Sequence, residues 1–244
     1  LRVLGVIGIA AVSMLLARLL MRWGVSPRNA ALWATSVAFL PPFHIYAGWA
    51  TTFPYSWLLL VAALAGTSWI ETGRPQRRSA RLAAIAGMTL AMLSYPPAAM
   101  FCWAPLGLKI LVLRMRPRQA FRAVLRLGYL VVGTGLTSLL IAPLARNLRG
   151  IPVDSRVQII TSPQEAVEKV LWFVSHPVVV AARPFNIRSP EPLNAILTAG
   201  PVIGVTAIGL FVALRGPALS RLGTLCALGV CCSLTMATHL VVPD

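Results

Sequence analysis

Residues 82–112 read LAAIAGMTLAMLSYPPAAMFCWAPLGLKILV, with Tyr95-Pro96-Pro97 near the middle and Lys109 the single charge. A helix crossing the hydrocarbon core needs roughly 20 apolar residues, within about 17–25. This stretch of 31 residues is too long for one comfortable crossing and short for two. A proline pair removes two backbone donors and drives the preceding residue out of helical geometry. The stretch therefore reads as two short helices meeting at the Tyr-Pro-Pro turn.

Working outward, further apolar runs of spanning length occur at Val3–Leu20, Ala30–Trp49, Phe53–Ile70, Leu127–Leu144, Ala195–Leu214 and Leu222–Val242. With the two halves of 82–112 they predict an all-α, polytopic membrane helix bundle of about eight crossings, a single transmembrane domain over residues 1–244. The composition agrees. Of the 244 residues 57% are apolar and 11% charged, and the mean hydropathy is +0.77. A soluble enzyme of this length could not bury so much apolar surface. The net charge of +16 raises the possibility of nucleic acid, but such surfaces carry continuous basic patches facing water. Here the arginines punctuate apolar runs, so no nucleic-acid partner is expected. The expected partner is the bilayer itself.

Arginine placement orients the bundle. Arg18, Arg22 and Arg28 form one basic cluster, Arg74, Arg77, Arg78 and Arg81 a second, Lys109 to Arg126 a third, and Arg215 with Arg221 a fourth. The connections between them, 50–52 and the Tyr95-Pro96-Pro97 turn, carry no charge. Cytoplasmic loops hold the Lys/Arg excess, so the four basic loops are expected inside. Both chain ends and the segment 145–192 are then outside. The chain opens at Leu1 without an initiator Met and stops at Asp244 without a polar tail, which reads as a piece of a longer protein.

Segment 145–192 holds Asp154, Glu165, Glu168 and Glu191, four of the six acidic residues. Ser162-Pro163-Gln164-Glu165 has the form of a capping box with proline at the first helical position. It predicts a helix over about 162–175. Val167, Val170, Leu171 and Val174 share one face, widened by Trp172 and Phe173. Such a helix either lies in the outer interface over a substrate or simply docks on the bundle. His44, Tyr46 and Trp49 fall at the outer end of the second span, facing Tyr55 and Trp57 across a short turn. The aromatics suit the interfacial belt or substrate stacking. His44, beside Pro41-Pro42, suits a water-lined cavity or a packing role. Cys102, Cys226, Cys231 and Cys232 read as small apolar residues, not as a metal site. No metal site or cofactor motif is evident. No carboxylate lies inside an apolar span, where proton-coupled transporters normally need one. Any acid–base chemistry is expected at the outer face.

The stretch from Leu40 to Ala50, LPPFHIYAGWA, followed by Phe53-Pro54-Tyr55, resembles the second-span region of the glucosyltransferase Gtr type II-like family. So does Ser94-Tyr95-Pro96-Pro97-Ala98-Ala99-Met100-Phe101, although Pro96 stands where that family has Gln. The resemblance implies a GT-C-like glycosyltransferase of the bacterial inner membrane. Such an enzyme moves a sugar, here glucose, from a polyprenyl-phosphate carrier to a cell-envelope glycan such as O-antigen on the periplasmic side. It further implies that the catalytic acids lie in an external loop upstream of Leu1, and it leaves a divalent metal open. On this reading His44, Tyr46, Trp49, Tyr55 and Tyr95 are candidates for holding substrate. Arg146, Arg149, Arg183 and Arg188 are candidates for the donor phosphate or else solvated loop charges. A transporter or flippase of a lipid-linked sugar, and a non-catalytic assembly subunit, remain the alternatives.

Overall fold

A computed structural model of the chain describes residues 1–38, 53–71 and 78–149, together with residues 162, 164, 165, 167, 168, 171 and 172. Every element within these residues is helical. They are α1 (Arg2–Arg22), α2 (Pro27–Ala38), α3 (Phe53–Ile70), α4 (Arg78–Ser94), the single turn α5 (Pro96–Ala99), α6 (Trp103–Leu113) and α7 (Pro117–Arg149). A 3-10 turn at Met100–Cys102 joins α5 to α6.

α3 is apolar all round, and it is the centre of the bundle. Its buried residues include Leu58, Leu59, Ala62, Ala63, Gly66 and Ile70, and α1, α4, α5–α6 and α7 all pack on it. A helix without a polar stripe is stable only where protein or lipid covers it. Two indoles fix its neighbours. Trp57 Nε1 donates to the Leu4 carbonyl at 3.1 Å, and Trp69 Nε1 donates to the Arg126 carbonyl at 2.8 Å. At the far end of the same helix pair, Arg22 meets Glu71 at 3.5 Å. α1 and α3 therefore run parallel. A Cβ at Gly87 would touch Val61, the register of an antiparallel α3–α4 pair with Ile70 level with Arg78.

Buried hydroxyls are satisfied within their own helices. Thr67 donates to the Ala63 carbonyl at 2.6 Å, Thr134 to Leu130 at 2.7 Å and Ser138 to Thr134 at 2.8 Å. This is how polar side chains are accommodated where no water is available. The outward faces are the reverse of a soluble surface. Val3, Leu82, Leu139 and Leu140 are exposed, as lipid-facing residues are. Among the described residues, four segments are long and apolar enough to cross a membrane: Arg2–Arg22, Phe53–Ile70, Pro96–Leu113 and Pro117–Leu144.

Several sequence expectations change. The two helices expected within 82–112 are present and meet at Tyr95, but α4 begins earlier, at Arg78, and has 17 residues. The span expected at Ala30–Trp49 begins at Pro27, and its described helix ends at Ala38. The basic loop expected over 109–126 is mostly helix: Lys109 belongs to α6, Arg118, Arg122 and Arg126 belong to α7, and only residues 114–116 separate them. Arginine is a good helix former, and Pro117 supplies a favourable first position. The outer segment expected from residue 145 likewise starts inside a helix, since α7 continues through Pro143 to Arg149. Its 33 residues span about 50 Å, well beyond the ~30 Å hydrocarbon core, so α7 extends past it. Of the helix expected over 162–175, Gln164, Glu165, Val167, Glu168, Leu171 and Trp172 are helical, and Gln164 Nε2 donates to Glu168 Oε1 at 3.3 Å. The spans expected at 195–214 and 222–242 lie outside the described residues.

A candidate aromatic site opposite the basic cavity

Tyr95 closes one helix and opens the next. Its N–H donates to the Ala91 carbonyl at 2.9 Å, continuing the α4 ladder. Its own carbonyl accepts from Ala98 at 3.0 Å and Ala99 at 3.3 Å. Between these roles its backbone is extended, at φ −157° and ψ 92°, as a residue preceding proline requires. That break re-aims the chain toward the start of α3.

Tyr55 sits in the first turn of α3, where Pro54 is tolerated because its missing N–H would have no helical acceptor. The two phenol rings stack with centroids 4.1 Å apart and planes 13° from parallel. Both residues are half-buried. A stacked aromatic pair contributes about 0.5–1.5 kcal/mol beyond its buried area. Burial, and next the neighbouring Tyr55 phenol, raise the Tyr95 phenol above the ordinary tyrosine range. It is therefore a neutral donor and acceptor at physiological pH. Behind the turn the packing is close: a Cβ at Gly66 would lie 2.9 Å from the Cys102 carbonyl oxygen. The arrangement offers a held aromatic face with hydroxyls at its edge, suited to binding and orienting a polar ring.

Of the sequence candidates, the structure brings Tyr55 and Tyr95 together. His44, Tyr46, Trp49, Arg183 and Arg188 lie outside the described residues. Arg146 and Arg149 are in the last turns of α7, a helix that starts at the basic end and runs toward the end holding the stack. Among the described residues no three His, Cys, Asp or Glu side chains gather as a metal site would need.

Sequence reading missed a feature at the opposite end. A cavity of about 770 Å³ opens where α3 and α6 end and α7 begins, lined by Glu71 and by Lys109, Arg114, Arg116, Arg122 and Arg126. The charge cluster was visible in sequence; its closure around one space depends on how three helices pack.

No family model matches the chain, and no curated protein or solved structure matches it either.

Proposed function

We propose that the chain is part of a membrane glycosyltransferase that moves a sugar, glucose on the family resemblance, from a polyprenyl-phosphate carrier to a cell-envelope glycan at the periplasmic face of a bacterial inner membrane. The observation that carries the reading is the Tyr55–Tyr95 stack. These residues lie in the two separate stretches that resemble the glucosyltransferase family, and here they meet as one surface. Aromatic faces pack against the C–H faces of sugar rings, while phenol hydroxyls supply hydrogen bonds at the edge.

In this reading Tyr55 and Tyr95 orient the sugar. Arg146, Arg149, Arg183 and Arg188 are the candidates to hold the departing phosphate. On the family resemblance a carboxylate takes the proton of the acceptor hydroxyl, as the hydroxyl oxygen bonds the anomeric carbon and the bond from that carbon to the phosphate oxygen breaks. The expected orientation has the basic end in the cytoplasm and the stack on the opposite side.

The test is sugar transfer by membranes containing the full-length protein, supplied with labelled glucosyl-polyprenyl phosphate. Label should appear in glycan. Tyr55→Ala and Tyr95→Ala should each reduce transfer by about tenfold, the equivalent of losing one stacking contact. Tyr55→Phe and Tyr95→Phe should keep most of it. Transfer unaffected by loss of both rings would remove the site. Movement of the labelled lipid across the bilayer without transfer would favour a flippase.

A further inference from the structure

We infer that the cavity at the basic end is a binding site for the phosphate-bearing headgroup of an anionic membrane phospholipid. Five cationic side chains, Lys109, Arg114, Arg116, Arg122 and Arg126, line this space with one carboxylate, Glu71. Arg22 engages that carboxylate at 3.5 Å, so the internal counter-charge is already shared. Like charges held around one space repel each other unless an anion joins them. Guanidinium groups match phosphate oxygens through paired N–H donors.

The depth of the cavity selects a lipid over a soluble anion. Immediately after Arg126, α7 becomes the uncharged run Leu127–Leu144, so the cavity lies where hydrocarbon gives way to water. α7 also presents two adjacent stripes there. Gln119, Arg122, Ala123 and Arg126 face the cavity, while Phe121 and Leu125 beside them are 62% and 44% exposed. Leu113, at the end of α6, is also 44% exposed. A charged space edged by exposed apolar side chains fits a molecule with an anionic head and acyl chains. A volume of about 770 Å³ holds such a headgroup with its water. Arg114 adds a backbone sign. It is the one non-glycine residue at positive φ among the described residues, at 46°. Strained positions of this kind concentrate at ligand sites.

The site stands at the opposite end from the aromatic stack and does not depend on sugar transfer. Its test uses the purified full chain in detergent, with melting temperature followed as phosphatidylglycerol, phosphatidylcholine or inorganic phosphate is added. Phosphatidylglycerol should raise the melting temperature, and the other two should not. In the Lys109→Gln/Arg122→Gln variant the apparent phosphatidylglycerol affinity should fall by about tenfold or more, as expected for losing charge-assisted hydrogen bonds. Arg118→Gln, outside the cavity lining, should respond like the unaltered chain. An equal response to phosphatidylcholine would overturn the proposal, as would a double variant that keeps the full shift. Inorganic phosphate matching phosphatidylglycerol would make this a soluble-anion site and overturn the lipid assignment. Should the double variant not fold, native mass spectrometry of the unaltered chain decides. Selective retention of phosphatidylglycerol from an equal mixture with phosphatidylcholine supports the site, and equal retention overturns it.

Discussion

Gly8 marks a close approach of α1 to α3. A Cβ built there would fall on Ser56 Oγ, with the Ser56 Cβ at 2.9 Å and Trp57 Nε1 at 3.3 Å. Close helix contact through a small residue is how membrane helices gain dispersion contacts without a hydrophobic driving force. Gly8→Ala should therefore separate the pair and strain the Trp57–Leu4 hydrogen bond. The expected loss is about 1–3 kcal/mol, the usual range for overpacking, read as a lower melting temperature in detergent. Adding Ser56→Gly to Gly8→Ala should recover part of that loss, so the two changes should be non-additive. Arg114 makes the opposite case. Its backbone, at φ 46° and ψ 50°, caps α6 in the left-handed region, where glycine is normally favoured. Arg114→Gly should stabilise the chain by about 1 kcal/mol by removing that strain. It should also shrink the melting shift with phosphatidylglycerol, because one cation leaves the cavity. A gain in both quantities would mean that Arg114 is not part of a headgroup site.

At the scale of elements the Tyr95-Pro96-Pro97 break determines the architecture. Without it α4, α5 and α6 could fuse across residues 78–113, a helix of about 54 Å for a hydrocarbon core of ~30 Å. Pro96→Ala/Pro97→Ala should thus lengthen the helix and withdraw Tyr95 from Tyr55. In a background without the native cysteines, Tyr55→Cys and Tyr95→Cys should cross-link through a short thiol reagent. The added proline changes should abolish that cross-link, and unchanged cross-linking would show that helix packing, not proline, sets the turn. This break was legible in sequence because proline acts locally on the residue before it. Phe53–Ile70 was legible for a similar reason: an uninterrupted apolar run needs no tertiary information. The start of α7 was not. A hydropathy reading takes Arg118, Arg122 and Arg126 as loop, whereas a helix tolerates all three on its exposed face. The Tyr55–Tyr95 contact was also hidden, because each tyrosine alone looks like an interfacial aromatic. Their meeting depends on α5 packing against the first turn of α3.

Across the whole molecule, charge and direction are coupled. α1, α3 and α5–α6 run toward the basic end, while α4 and α7 run away from it. Arg22 and Glu71 meet there, and Lys109 to Arg126 gather around the cavity. The opposite end carries the uncharged Tyr95-Pro96-Pro97 turn and the tyrosine stack. Helix packing alone would permit either end to face the cytoplasm; the Lys/Arg bias selects the basic one. In that expected orientation the proposed headgroup cavity would meet the cytoplasmic leaflet, whose anionic lipids attract basic side chains, and the stack would face the other side, where the proposed function places its lipid-linked substrate. The prediction is testable with single cysteines in the background without native ones. In intact cells a membrane-impermeant thiol reagent should label Ser94→Cys and Pro54→Cys. Arg28→Cys and Arg78→Cys should react only after permeabilisation. Labelling of position 78 from outside would invert the molecule and exchange the leaflets of the two sites. Labelling of 28 and 94 together in intact cells would break the separation of the basic cavity from the tyrosine stack on which both sites rest.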